Sequence, residues 1–491
     1  MRSALGMTLP NGSLSRILSG VALVEMGDPR RRRRLNKTMS KMAKRPSASF
    51  PHAMGSDVDL EGAYRLASSK NVDFQQLLDA FAEATAERAK SKRAVLVIHD
   101  TTDASFAHAD PNEVGHLPSG KAGFFIHVAL VVEADEWRRP LGVVHTEILS
   151  RPQRSKRGRK NKASGTETAR WKDRESLRWA RGVKAAQMAL AGRTEVIHVA
   201  DREGDSYAFL ASMFDQNASF VVRVHHDRKV GDPTDPDQPW SALKAHVRGI
   251  EGVLERDVVL SARKSTAALR GSETHPPRRA RMARLSFAAS SIVLRRPRYL
   301  EDPVPPTLTL NVVHVREPDP PPDEKPIEWL LFTTLPVDSK TQIALVVDHY
   351  RTRWTIEEFN KALKTGCAYE TREFQTLRAL LVVLAMSLPI ACEILWLRSR
   401  ARAEHPVRAT EVLTAQQIKI LRQMGSRPLP RLPMARDALW AVAGLGGHHR
   451  RNGEPGWLVL YRGMQVLMLY EEAYQAAYEV GFLAGKKARP V

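Results

Sequence analysis

Two short apolar runs that each close on an aspartate do most to limit what this chain can fold into. Ala94-Val95-Leu96-Val97-Ile98 is followed, after His99, by Asp100, and Glu195-Val196-Ile197-His198-Val199-Ala200 runs directly into Asp201. Neither run alternates apolar with polar residues, which is the pattern of central strands covered on both faces. In open α/β sheets the ligand crevice lies outside the carboxyl ends of such strands, so both acids are placed for chemistry. Each is also an ordinary residue for a turn or a helix cap, and the runs alone do not separate the two readings.

The flanking pattern predicts more strands at Gly123–Glu133, Leu141–Leu149 and Phe220–Val224, with helices near Ser176–Ala191 and from about Asp205. Hairpin strands first and strand–helix alternation afterwards predict a mixed α/β sheet. Residues of about 229–328 break the alternation with β-like segments (Val258–Ser261, Arg284–Leu294, Thr307–Val315) and a proline cluster at 318–322, and read as a strand-rich insertion. After a strand at Trp329–Thr333 the chain is mainly helical. The apolar stretch Ala379 to Leu397 contains Pro389 and Glu393. A charge at a bilayer centre costs roughly 2.5–3.5 kcal/mol, so this stretch is expected to be a buried helix, with no membrane as partner.

Charge narrows the partner. Of a formal net +21, residues 1–50 hold 11 Lys and Arg against 2 Asp and Glu, and residues 151–174 hold 10 against 2. Two such concentrated stretches suit a polyanion such as nucleic acid. Asp28-Pro29 reads as a helix cap and first helical residue, with Arg30 to Arg34 following at once. Two cysteines, Cys367 and Cys392, exclude a disulfide framework and a multi-cysteine zinc site, and fit a reducing compartment.

The third acidic element lies in Tyr350-Arg351-Thr352-Arg353-Trp354-Thr355-Ile356-Glu357-Glu358-Phe359-Asn360-Lys361-Ala362-Leu363-Lys364. Tyr350, Arg353, Glu357, Lys361 and Lys364 recur at steps of three and four, so one helix would carry all five on one face, opposite Ile356, Phe359 and Leu363. The same spacing describes a solvated ladder of charges, and spacing alone leaves both readings open.

The segment resembles the YREK signature (Tyr350, Arg353, Glu357, Lys364) of the IS-four family of bacterial DDE transposases, the family of the Tn-five transposase. Other blocks resemble it too: His99-Asp100-Thr101-Thr102, Asp201-Arg202-Glu203-Gly204-Asp205, Trp329-Leu330-Leu331, Gly27-Asp28-Pro29-Arg30-Arg31 with Glu61-Gly62-Ala63-Tyr64-Arg65, and Pro455-Gly456-Trp457 with Tyr461-Arg462-Gly463. Asp227 departs from it, since proline is expected after His226, and the run 154–162 is more basic than expected. The resemblance implies an RNase H-like mixed-sheet catalytic core at 74–400, between a helical DNA-binding domain at 1–73 and a helical dimerisation domain at 401–491. It implies Asp100, Asp201 and Glu357 as catalytic metal ligands for two Mg²⁺ or Mn²⁺ ions. Tyr350, Arg353, Lys361, Lys364, Trp329, Arg223, His226 and Arg228 are the implied DNA contacts near the scissile bond, with Trp329 receiving an unstacked base. Arg30, Arg31, Arg34 and Arg65 are the implied contacts to the transposon end. The implied function is cut-and-paste transposition by a homodimer, in a synaptic complex on double-stranded DNA, in the bacterial cytoplasm at the nucleoid.

Overall fold

The computed structural model describes residues 13–135, 138–151, 176–235, 238–262, 278–401, 406–425 and 428–487. The basic run 154–162 singled out in the sequence lies outside the described residues. Five helices come first: α1 (Ser13–Ala22), α2 (Pro29–Lys44), α3 (Phe50–Met54), α4 (Asp57–Ser68) and α5 (Phe74–Ala89). α2 starts as the sequence predicts. The Asp28 carboxylate accepts from the Arg30 backbone N–H at 2.8 Å, and Pro29 occupies a position that needs no donor. Leu35, Met39 and Met42 form its buried stripe, which fixes how the arginines are sorted around it. Arg30, Arg32 and Arg33 are exposed, whereas Arg31 and Arg34 are half-buried.

The sheet begins with β1 (Ala94–Ser105), then a single helical turn α6 (Pro111–Val114), and the strands β2 (Gly123–Glu133) and β3 (Pro140–Leu149). Next come α7 (Leu177–Leu190), β4 (Glu195–Ala200), α8 (Tyr207–Asp215) and β5 (Ser219–Arg223). β1, β2 and β3 are an antiparallel meander, β4 lies parallel to β1, and β5 lies parallel to β4. The resulting order β3-β2-β1-β4-β5 is a mixed α/β sheet consistent with the RNase H-like expectation.

The insertion supplies β6 (Lys229–Gly231), β7 (Ser241–Ala242), α9 (Leu243–Arg248), β8 (Leu254–Leu260), β9 (Arg281–Arg295), β10 (Thr307–Arg316) and β11 (Glu328–Thr333). It does not form a separate sheet. β11 pairs antiparallel with β5 through Leu331–Arg223, Phe332–Val222 and Thr333–Val221, so the core sheet continues into β10, β9, β6 and β7. Asp227, the departure from the expected proline, accepts from the Lys244 backbone N–H at 3.0 Å in the first turn of α9.

Beyond β11 come α10 (Lys340–Thr352), α11 (Trp354–Lys361), a π-helical turn (Ala362–Gly366), α12 (Leu377–Ala401), α13 (Ala415–Met424), α14 (Ala435–Leu445) and α15 (Trp457–Lys487). α12 is long and apolar enough to cross a membrane, but 76% of its apolar stretch is buried within the protein. It joins α1–α5 and one face of the sheet in a continuous apolar core. Arg372, ahead of α12, donates to the carbonyls of Ala48, Pro46 and Cys367 and so ties the amino-terminal helices to the segment between α11 and α12.

The opposite face of β1, β2 and β4 carries a layer of three fully buried histidines under α7: His99, His127 and His198. The amide nitrogen of Gln187 can only donate, so His198 Nε2 accepts from it at 3.2 Å, and His198 Nδ1 carries the proton donated to His99 Nε2 at 2.9 Å. Gly182 of α7 makes room for the layer. A Cβ there would stand 3.1 Å from both His99 Nδ1 and His127 Nε2.

Candidate active site

β1 and β4 are neighbours in parallel register, with Ile98 opposite Val199, so Asp100 stands beside Asp201. β1 does not stop at Asp100 as its apolar run suggests but continues to Ser105 against β2, so Asp201 closes its strand while Asp100 lies where β1 outruns β4. Asp201 closes β4 and caps the 3-10 turn Arg202–Gly204, its carboxylate accepting from the Glu203 N–H at 2.9 Å. Asp100 is more enclosed. Burial, with the Asp201 charge second, pushes its carboxyl up to about 7, against the pull of Arg353. The two carboxylates thus stand close enough for the Asp201 charge to act on Asp100.

Glu357 arrives on α11, with its carboxylate paired to the Arg353 guanidinium one turn earlier. Burial works against the Arg353 charge, but Tyr350, Glu357 and Asp201 together raise its pKa above the ordinary value. Arg353 therefore couples electrostatically to all three acids. Asn360, which sequence reasoning missed, donates from Nδ2 to Asp100 Oδ2 at 2.9 Å. Among the described residues no three His, Cys, Asp or Glu side chains converge closely enough to hold an ion as they stand. Glu357 is turned to Arg353 and one oxygen of Asp100 is held by Asn360.

The helix expected over 350–364 is irregular. At Arg353 the backbone N–H reaches back only to the Tyr350 carbonyl, at 2.9 Å, and α11 gives way to the π-helical turn after Lys361. Tyr350 consequently leaves the predicted polar face: it is 5% exposed and meets Trp329 edge-on at 5.4 Å. Trp329 is half-buried, with the Arg223 guanidinium 5.3 Å from its ring centre. Lys361 lies exposed and bonds Glu358 at 3.3 Å, while Lys364 bonds Asp103 at 2.7 Å and lowers the Asp103 pKa.

The acids adjacent to the chosen three are engaged elsewhere. Asp103 is held by Lys364, Glu203 by Arg178 at 3.1 Å, and Glu358 by Arg398 and Lys361. Arg398 also stacks over Trp457, the first residue of α15, at 4.5 Å, so the helix that bears Glu357 is linked to the carboxy-terminal helix.

Arg228, one of the expected DNA contacts, is largely enclosed in this structure. Its guanidinium is bound to the Asp205 carboxylate and to the Asp205 carbonyl at 2.8 Å, and its side chain is 9% exposed. Asp205, fully buried, also accepts the His225 and His226 N–H groups at 2.6 and 2.8 Å, so the pair fixes the loop after β5. His226 itself stays exposed. The sequence held a signal for Asp205 in its place at the strand-to-helix junction after Asp201, but a second acid there reads equally well as a cap.

At the amino-terminal helices, Arg31 donates to the Met26 carbonyl at 2.9 Å and Arg34 lies 3.6 Å from Asp59, so both contribute to helix packing. Lys37 first and then Lys41 hold Asp59 well below the usual carboxylate range. Arg30 and Arg65 face outward, Arg65 paired with Glu61.

Residues 18–72 match a family model described as Transposase DNA-binding, and residues 169–388 match one described as Transposase DDE domain. The first covers α2 to α4 with their arginines, and the second contains Asp201, Trp329 and Glu357 but begins after β1 and Asp100. These two domains, over more than half its length, place the chain among the DDE transposases.

Proposed function

We propose that this protein is a cut-and-paste transposase of the IS-four, YREK type, with Asp100, Asp201 and Glu357 as its catalytic carboxylates. The observation that carries the reading is the pair of aspartates side by side on neighbouring parallel strands, Asp100 raised toward neutrality by burial and then by the Asp201 charge, with Glu357 joined to them through Arg353. The donor set is all oxygen, as hard divalent ions require, and two of its carboxylates stand side by side, where a cation would relieve their repulsion. Asp100, Asp201 and Glu357 would hold two Mg²⁺ or Mn²⁺ ions. When bound, such ions activate the attacking oxygen and neutralise charge on the leaving one.

The chain's own groups then bind and orient the DNA. Lys361 stands exposed one turn after Glu357 and suits a phosphate. Arg353 moves its charge between Glu357 and an incoming phosphate. Trp329, with one side packed on Tyr350, offers a stacking surface for a base displaced when the strand bends into a hairpin. Transposon ends are gripped by the exposed arginines of α2, with phosphate contacts setting position, and the active form is a homodimer on paired ends.

The reading is tested with a donor plasmid carrying the element's own ends, incubated with Mg²⁺. Hairpin-ended and joined products are expected, and Glu357→Gln should abolish both while leaving end binding intact. Nicked DNA without hairpins would assign a nuclease instead, and binding without cutting would assign a silent DNA-binding protein.

A further inference from the structure

Asp100 sits on a strand and Glu357 on a helix, and nothing in the sequence fixes the gap between them. Two side chains of the helical segment cross it: Asn360 to Asp100 at 2.9 Å and Lys364 to Asp103 at 2.7 Å. Asn360 lies three residues after Glu357, almost one turn along, so it reaches toward the same end of the sheet. Its amide nitrogen is the atom turned to Asp100 Oδ2, the arrangement in which the carboxylate accepts rather than meeting a second acceptor. That orientation leaves Asn360 Oδ1 buried with no hydrogen-bond partner among the described residues. An unpartnered buried amide oxygen bears its full desolvation cost, and one kept beside a carboxylate cluster points to something that supplies it with a hydrogen.

We propose that Asn360 is a positioning residue for this site: its amide nitrogen holds Asp100 by Oδ2 and leaves Oδ1 of that carboxylate to a divalent cation, while its own amide oxygen accepts from a water in the cation's shell. The proposal rests on the transposase reading of the three acids. Groups that orient a metal's ligands typically govern its affinity tenfold to a hundredfold. Directly after Lys361 the helix passes into a π-helical turn, and Lys364 within that turn reaches Asp103, on the strand that bears Asp100.

The test uses the full-length protein and Mn²⁺ titrated against it by electron paramagnetic resonance, with strand cleavage measured in parallel. Asn360→Leu keeps the volume and removes both polar atoms. It should raise the Mn²⁺ concentration for half-saturation about tenfold or more. Asn360→Asp keeps an acceptor, removes the donor and adds a carboxylate, so Mn²⁺ binding should persist while cleavage at saturating Mn²⁺ falls at least about tenfold. Parental Mn²⁺ affinity in a folded Asn360→Leu, or parental cleavage by Asn360→Asp, overturns the proposal. Should Asn360→Leu not fold, the Asn360→Asp cleavage rate decides. Asp100→Asn and Glu357→Gln separate the two levels. If both leave Mn²⁺ binding unchanged, the metal site itself is misassigned and the proposal falls with it. If both abolish binding and Asn360→Leu does not weaken it, only the role of Asn360 is refuted.

Discussion

Replacing Asp205 by alanine should destabilise the protein without touching the catalytic acids. The carboxylate is fully buried and takes two backbone N–H groups, from His225 and His226, together with the Arg228 guanidinium. Removing one member of a buried ion pair strands the other charge, at about 3–5 kcal/mol. Arg228→Met should cost less, because Asp205 keeps its two backbone donors. The double variant should then be more stable than the sum of the singles predicts, with a coupling of about 2–3 kcal/mol for groups in direct contact. Urea unfolding followed by tryptophan fluorescence gives the free energies, and hydrogen exchange at the His225 and His226 amides reports the loop directly. The reasoning fails if Arg228→Met leaves stability unchanged while lowering the salt slope of DNA binding by about one, since that is the mark of a phosphate contact.

Two other outcomes follow from charges elsewhere. Burial pushes His127 and His198 down to about 3, so between an unfolded value near 6.5 and that point the unfolded chain binds protons that the native chain refuses. Their stabilisation is therefore complete above about pH 6.5 and is lost as pH falls, at about 2 kcal/mol per histidine by pH 5. His198→Gln should flatten the loss between pH 7 and pH 5 by that amount in urea titrations, and an unaltered pH slope would refute it. Comparing variant with parent cancels the opposing effect of Asp100, whose raised pKa favours the native state as pH falls. On α2, Arg32→Ala with Arg33→Ala should weaken end binding and reduce its log–log salt slope by about two, as measured by fluorescence anisotropy. A slope equal to the parent's would remove this face from the DNA footprint.

The strands bearing Asp100 and Asp201 were legible because burial on both faces leaves an uninterrupted apolar run, a local property of sequence. The pairing of β11 with β5 was not. It joins residues more than a hundred positions apart, and a strand-rich insertion reads alike whether it forms its own sheet or extends another. The helical spacing of Tyr350, Arg353, Glu357, Lys361 and Lys364 was visible, but the irregularity at Arg353 that turns Tyr350 onto Trp329 is a matter of packing. The tie between Arg228 and Asp205 was not legible, because the two stand 23 residues apart. Asn360 was passed over because its significance is a single bond to a strand 260 residues earlier.

The hydrogen bonds between β11 and β5 carry a mechanical consequence. A lid hinged on a loop can travel to meet its partner, but Trp329 stands on a strand stitched into the middle of an eleven-stranded sheet. Its indole is an anvil, backed by Tyr350 and braced by Arg223, and it has no hinge of its own. Any molecule shaped against it must supply the deformation itself, so the stiffness of this sheet is converted into strain in whatever is pressed there.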